Sequence, residues 1–343
     1  MPSPSYVTTP EQLAQELDLD LEQLEAVHAV YPLRISRYYL ELIKKHGLSL
    51  WRQAVPDIQE LENGNGLIDP LDEENLSPVP CLVHKYPDRA LFLVCSECAM
   101  YCRFCTRKRK VGKEEMVVND DTIAAGLAYL QRTPEITDVL VSGGDPFMLP
   151  VERLDQILGA LRAIPSIAVI RIGTRVPCTL PTRVTLQLAA MLKKHHPLYI
   201  NTHFNHPAEI TPEAEQACAR LADAGIPLGC QTVLLRGVND TPEIMRQLMC
   251  RLLQIRVKPY YLFQADLTRG ADHFRTTIDT GVSIMRSLIG HISGMAVPTY
   301  ALDAPGGGGK IPLTPNYIST LGDTLEFNTY KQLLCSYPNT ILP

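Results

Sequence analysis

The sequence predicts an α/β protein built on a parallel sheet that curls into a barrel or part of one. Strand-like apolar runs centre near Leu93, Leu140, Ile170, Ile200, Thr232 and Leu262, at intervals of 47, 30, 30, 32 and 30 residues. Most of them lead into a polar turn and then a helical pattern, and the interval suits one strand-helix unit of roughly 30 residues. Six such units in series give parallel strands with helices outside. A doubly wound open sheet fits the same rhythm, and in either arrangement chemistry gathers at the C-terminal ends of the strands. The 343 residues, 45% of them hydrophobic, suffice for a large core. They divide into a helical region over residues 1–80, a partial (βα)6 barrel over 81–275 and a C-terminal extension over 276–343.

Charge and composition exclude several classes. A net charge of -5 gives no global field favouring nucleic acid or an anionic membrane. No stretch reaches the roughly 18 apolar residues of a membrane span, and the first six residues lack a charged and an apolar signal region, so a cytoplasmic protein is expected. Ten cysteines in such a chain point to metal or catalysis rather than disulfides. Cys81, Cys178, Cys218, Cys230, Cys250 and Cys335 are scattered and read as small core residues.

In the N-terminal region Thr9-Pro10-Glu11 is a helix start, and Leu13, Leu17, Leu24 and Val27 follow a helical period across more than one helix. Tyr38 to His46 close a further helix with basic residues, and Gly47 caps it. The turn-rich stretch from Glu62 to Pro80 marks a boundary.

The first barrel strand ends at Cys98-Ala99-Met100-Tyr101-Cys102-Arg103-Phe104-Cys105, a C-x3-C-x2-C spacing. Three thiolates so close suit a metal or cluster, and three ligands on a [4Fe-4S] cube leave one iron free to bind a substrate. A four-cysteine zinc site that recruits Cys95 is the alternative. The motif resembles that of the radical S-adenosylmethionine (SAM) superfamily, C-x3-C-x-aromatic-C. The basic run Arg107 to Lys110 beside it suggests anionic small-molecule groups, although such runs are more often solvated loops.

The second strand runs into Ser142-Gly143-Gly144-Asp145, where two glycines allow a ligand close to the backbone and the acid could hold an ammonium; an ordinary tight turn reads the same. This block resembles the superfamily's Gly-Gly-acid motif, which contacts the amino group of SAM. By the same analogy Gln231 on the fifth strand is a SAM contact, and His203 on the fourth is a site residue or an internal hydrogen-bond partner. A later strand, Pro298 to Asp303, leads into Gly306-Gly307-Gly308-Gly309-Lys310, a flexible linker or a backbone wrapped against a ligand. Lys310 is followed by Ile311 with no helix start, which excludes a Walker phosphate loop. A lysine so presented suits a Schiff base with pyridoxal phosphate (PLP).

Together these blocks, with His84 to Arg89, Arg171 to Arg175, Asn201 to Pro207, Val233 to Asp240 and Asp266 to Arg275, resemble the lysine 2,3-aminomutase family over most of residues 80 to 315. The resemblance implies a radical SAM barrel whose C-terminal extension binds PLP. In it Cys98, Cys102 and Cys105 hold the [4Fe-4S] cluster and Lys310 bonds to PLP, with Arg89 helping to hold the cofactor phosphate and Tyr86 near it. Arg107 is implied for the substrate carboxylate, and Asp266 and Asp303 for the side-chain ammonium of L-lysine. The implied reaction is radical migration of the amino group to give β-lysine, started by a 5'-deoxyadenosyl radical and fed by an unidentified low-potential electron donor. Longer members bind a structural zinc between subunits through a cysteine-rich tail and a cysteine after Val-Asn-Asp. Here only Cys335 follows Lys310 and Thr241 stands after Asp240, so zinc and tetramer are not carried over and a homo-oligomer stays open. The rival readings are the same chemistry on glutamate or arginine, supply of β-lysine for elongation factor P, and a non-catalytic iron-sulfur or zinc protein.

Overall fold

The computed structural model describes residues 6–62 and 64–341. A short antiparallel pair, β1 (Tyr6–Val7) and β2 (Ile35–Ser36), brackets α1 (Pro10–Leu17) and α2 (Leu21–Val30); α3 (Arg37–His46) and α4 (Leu48–Ala54) follow. The Thr9 side chain accepts from the Gln12 N–H and caps α1. Lys44, Lys45 and His46 sit in the last turn of α3, where the helix dipole favours cations. Leu13, Leu24, Val27, Leu40 and Ile43 are buried, and Leu13, Leu24, Leu40 and Ile43 join the main core. Beyond Ala54 the chain is mostly turns up to Leu82.

Nine strands then form one mixed sheet. β3 (Leu82–Tyr86) pairs antiparallel with β4 (Arg89–Cys95). From β4 the strands run parallel through β5 (Asp138–Gly143), β6 (Val169–Gly173), β7 (Leu198–Thr202), β8 (Leu228–Leu234), β9 (Val257–Gln264) and β10 (Thr299–Ala304). The helices α5 (Asp120–Arg132), α6 (Val151–Arg162), α7 (Val176–Thr179), α8 (Leu186–Lys193), α9 (Pro212–Asp223), α10 (Pro242–Gln254) and α11 (Ile278–Leu288) lie in the connections. β10, the later strand expected over Pro298 to Asp303 and reached after α11, adds a seventh parallel strand to the six that the rhythm marks. β11 (Gly309–Pro312) turns back antiparallel on β10. A separate antiparallel sheet of β12 (Ile318–Thr320), β13 (Thr324–Asn328) and β14 (Leu334–Pro338) follows.

The two edges of the nine-stranded sheet meet. The Lys310 N–H on β11 donates to the Tyr86 hydroxyl on β3 at 3.0 Å, and Lys85 lies 3.7 Å from Asp303 of β10. The sheet is therefore curled into a nearly closed barrel. Period two does the rest. Val139 and Val141, Ile170 and Ile172, and Leu228, Cys230 and Leu234 point outward into one core with Leu158 of α6, Leu192 of α8 and Leu221 of α9. The alternate residues Leu140, Ser142, Arg171, Gly173 and Gln231 line an interior cavity of about 590 Å³. Glycine or polar side chains at several of these inward positions leave room for ligands rather than a packed interior. Of the scattered cysteines, Cys178, Cys218 and Cys230 are buried, while Cys81, Cys250 and Cys335 are half-buried. No helix among the described residues is long and apolar enough to cross a membrane.

Candidate active site

One end of the cavity is the cysteine loop. β4 delivers Cys98, Cys102 and Cys105 to the cavity wall, at the strand end where parallel folds collect ligands. Burial pushes the Cys98 thiol well up, and the neighbouring Asp145, Cys105 and Cys102 add to it; burial, then Cys102, pushes Cys105 up to about 11. Clustered half-buried thiols of this kind suit a cationic centre that would stabilise them as thiolates. Among the described residues no three His, Cys, Asp or Glu side chains converge closely enough for a single metal ion. Thiols spread along a wall fit a cubane, which gives each its own iron. Cys95 stands apart: buried at the end of β4, its Sγ is 3.3 Å from the Glu97 carbonyl, and it does not line the cavity.

The glycine pair has a packing reason as well. A Cβ on Gly143, whose φ is +128°, would lie 2.2 Å from the Cys95 carbonyl oxygen, and one on Gly144 would lie 2.3 Å from that of Glu97. The turn thus presses against the root of the cysteine loop, and Asp145 N–H donates to Glu97 O at 2.7 Å. The expectation that the Asp145 carboxylate holds an ammonium meets a group already in use. Its oxygens accept from Thr174 Oγ1, Phe147 N, Arg175 N and Val176 N at 2.7 to 3.1 Å, so it ties the β5 turn to the β6 turn. Ser142, Gly143, Gly144 and Gln231 line the cavity. So does His203, which bonds Asn205 at 2.9 Å and is held neutral, at about 3, by burial and then by Arg175.

At the other end sits the β10–β11 hairpin. Ala304 and Gly309 are register partners, so residues 305–308 form its loop, with Gly306 at φ +66° and Gly307 at φ +79°. The glycine run is therefore a tight turn, not a linker: left-handed backbone at successive positions requires it. Lys310 Nζ is 3.3 Å from Asp303 Oδ1 and faces the rings of Phe263 and Tyr86 at 5.3 and 5.9 Å. Arg89 also lies over Tyr86, its guanidinium carbon 4.2 Å from the ring centre. Asp266 is pushed up to about 7, by burial first and by Asp303 second. Lys310, Lys85 and Arg89 give this end the cations, and Tyr86 and Phe263 the flat faces, that a phosphorylated aromatic aldehyde such as PLP calls for.

The basic run is not solvated. Arg107 grips Glu73, Lys108 reaches Glu60 at 2.7 Å, Arg109 reaches Asp69 at 3.1 Å, and Lys110 pairs with Glu74. Four successive cations thus find acids on the segment between α4 and β3. Two further groups escaped the sequence reading. Glu73 carries no local pattern; Arg175, whose Nη1 is 2.8 Å from Cys102 Sγ, could have been found from its place just past the end of β6.

A curled parallel sheet with three cysteines in C-x3-C-x2-C spacing at the end of its first parallel strand defines a radical SAM protein, and the model of the radical SAM superfamily matches residues 93–248. The lysine-2,3-aminomutase family model matches residues 285–340, where the lysine hairpin and the last sheet lie. The chain is 48% identical to the L-lysine 2,3-aminomutase of Fusobacterium nucleatum over 90% of its own length and 74% of that protein's. It is 46% identical to that of Clostridium subterminale, over 98% and 82%, and 44% identical to the glutamate 2,3-aminomutase of Clostridioides difficile, over 90% and 74%. This chain belongs to the lysine 2,3-aminomutase family of isomerases.

Proposed function

We propose that this protein converts L-lysine to β-lysine by moving the 2-amino group to carbon 3. The observation that carries the reading is the single cavity of about 590 Å³ lined both by Cys98, Cys102 and Cys105 and by Lys310, Asp266, Asp303 and Arg107. Cys98, Cys102 and Cys105 would hold a [4Fe-4S] cluster, Ser142 to Gly144 and Gln231 would contact SAM, and Lys310, Tyr86 and Arg89 would hold PLP. When bound, these groups supply a carbon-centred radical and an electron sink for the migrating nitrogen.

The chain's own part is placement. Arg107 meets the substrate carboxylate and the two aspartates meet the side-chain ammonium, so both ends of lysine are fixed and its carbon 3 has one position in the cavity. Restricting two partners to a single approach is worth many powers of ten in effective concentration. Below about pH 7 Asp266 holds a proton that it gives up as the ammonium arrives, and the barrel wall keeps water from the reactive centre. Lys310 already sets an ammonium on Asp303, which supports an ammonium-binding role for that carboxylate.

The test is an anaerobic assay of reconstituted protein with SAM, PLP, a strong reductant and lysine, read for β-lysine. Product from lysine but not from glutamate is expected; product from glutamate alone would move the assignment to the other branch of the family.

A further inference from the structure

We propose that Glu73 is the positioning residue of the substrate-carboxylate site, holding Arg107 by one edge of its guanidinium so that the other edge is offered to the cavity. The inference rests on the reading of Arg107 given above. A guanidinium carries five N–H donors in a rigid plane, with two edges that can each meet a carboxylate. Glu73 takes the first edge: Arg107 Nε donates to Oε1 and Oε2 at 3.0 Å each, and Nη2 to Oε1 at 2.7 Å. Among the described residues Nη1 has no hydrogen-bond partner, and it is not among the fully buried polar atoms left unpaired. Arg107 lines the cavity, so the second edge is the one a ligand carboxylate can reach.

Glu73 is itself braced. It rides on a turn segment tied to the basic run by Asp69–Arg109 at 3.1 Å and by Glu74–Lys110. The same segment accepts from the glycine loop, Gly306 N–H to Pro70 O at 3.3 Å, and from β3, His84 N–H to Leu76 O at 2.8 Å. A buried carboxylate on so fixed a backbone can set the angle of the guanidinium it grips.

Calorimetry on the full chain loaded with PLP tests this, using L-lysine and L-lysinamide, which lacks the carboxylate charge. Glu73→Gln is expected to weaken lysine binding by about tenfold or more with a much smaller effect on lysinamide, a contrast that general loosening of the fold would not produce. Glu73→Asp keeps the charge and should recover part of the loss; it also stands in should the glutamine variant fail to fold. Arg107→Lys provides the control. If it leaves lysine binding intact, the carboxylate lies elsewhere and the inference falls with the reading it rests on. If it weakens lysine but Glu73→Gln does not, Arg107 stands and the positioning role alone is overturned. Tighter lysine binding by Glu73→Gln would make Glu73 a competitor for the carboxylate's place, which also overturns it.

Discussion

Asp303 and Lys310 are register partners across the β10–β11 hairpin, and the Lys310 ammonium lies 3.3 Å from Oδ1 and 3.2 Å from Oδ2 of Asp303. The hairpin's pairing, set by the glycine turn, therefore fixes the distance between the lysine proposed to carry PLP and an acid proposed to bind substrate. When Lys310 moves to a carbonyl, it vacates a place on Asp303 with the charge and hydrogen-bonding needs of another ammonium. The two aspartates, expected at the far end of the substrate, are so divided that one also serves the resting lysine.

Lys310→Ala should abolish turnover and leave no borohydride-trapped PLP on the peptide that contains residue 310. Lys85 is the competitor, since its Nζ is 3.7 Å from the same carboxylate. Trapping at Lys85 in the unmodified protein would remove Lys310 from its role.

Cys95→Ala should keep about four irons per chain after reconstitution, the content of one cubane, and still cleave SAM. Its thiol faces the Glu97 carbonyl and not the cavity. Loss of the cluster in this variant would mean a fourth protein ligand, and the open iron would have to be abandoned.

The cysteine loop depends on a buried ion pair. Arg103, between Cys102 and Cys105, donates from Nε and Nη2 to Glu60 at 2.6 to 3.1 Å, and Lys108 joins at 2.7 Å. Glu60 has no exposed side-chain surface and Arg103 almost none. Removing one partner of such a pair leaves buried charge uncompensated and costs about 3 to 5 kcal/mol. Glu60→Ala should lower the urea midpoint accordingly and reduce iron uptake with it. An unchanged midpoint would show that the loop stands without this clasp.

Much of this was legible because local rules carry it. Residues one strand-helix unit apart announce six strands, and Cys98, Cys102, Cys105 and Lys310 announce themselves by spacing and by the glycines before them. The seventh parallel strand was legible as a run over Pro298 to Asp303 but not as a member of the barrel, because it falls outside the rhythm of roughly 30 residues that marks the other six. Glu73 and Arg107 are 34 positions apart and meet only because turns without period return the chain to the barrel mouth. Asp145 was visible as an acid beside glycines, but the donors that occupy it come from the next strand's turn.

On the proposed reading, substrate choice and its pH dependence rest on Asp266. The chain is 44% identical to a glutamate aminomutase and 46 to 48% identical to two lysine aminomutases, so overall identity hardly separates the two substrates and the charges at the site must. Burial and then Asp303 raise Asp266 to about 7, against the pull of Lys310 and Lys85 and with Glu73 adding to the rise. A raised value means that the ligand-free site holds a proton which a substrate ammonium has to expel. Lysine affinity should therefore be full above pH 7 and fall by up to about tenfold per unit below it. Asp266→Asn has no proton to expel, so it should flatten that dependence. It should also weaken lysine by about 10² to 10³ or more, the equivalent of breaking a buried charge pair, while PLP and SAM still bind. Glutamate would bring a third carboxylate to Asp266 and Asp303 and should turn over poorly. Calorimetric Kd for lysine between about pH 5.5 and 8.5, on both proteins, spans the titration of a group near 7. A profile that is level in the unmodified protein, or that stays sloped in the asparagine variant, would take the substrate ammonium away from Asp266.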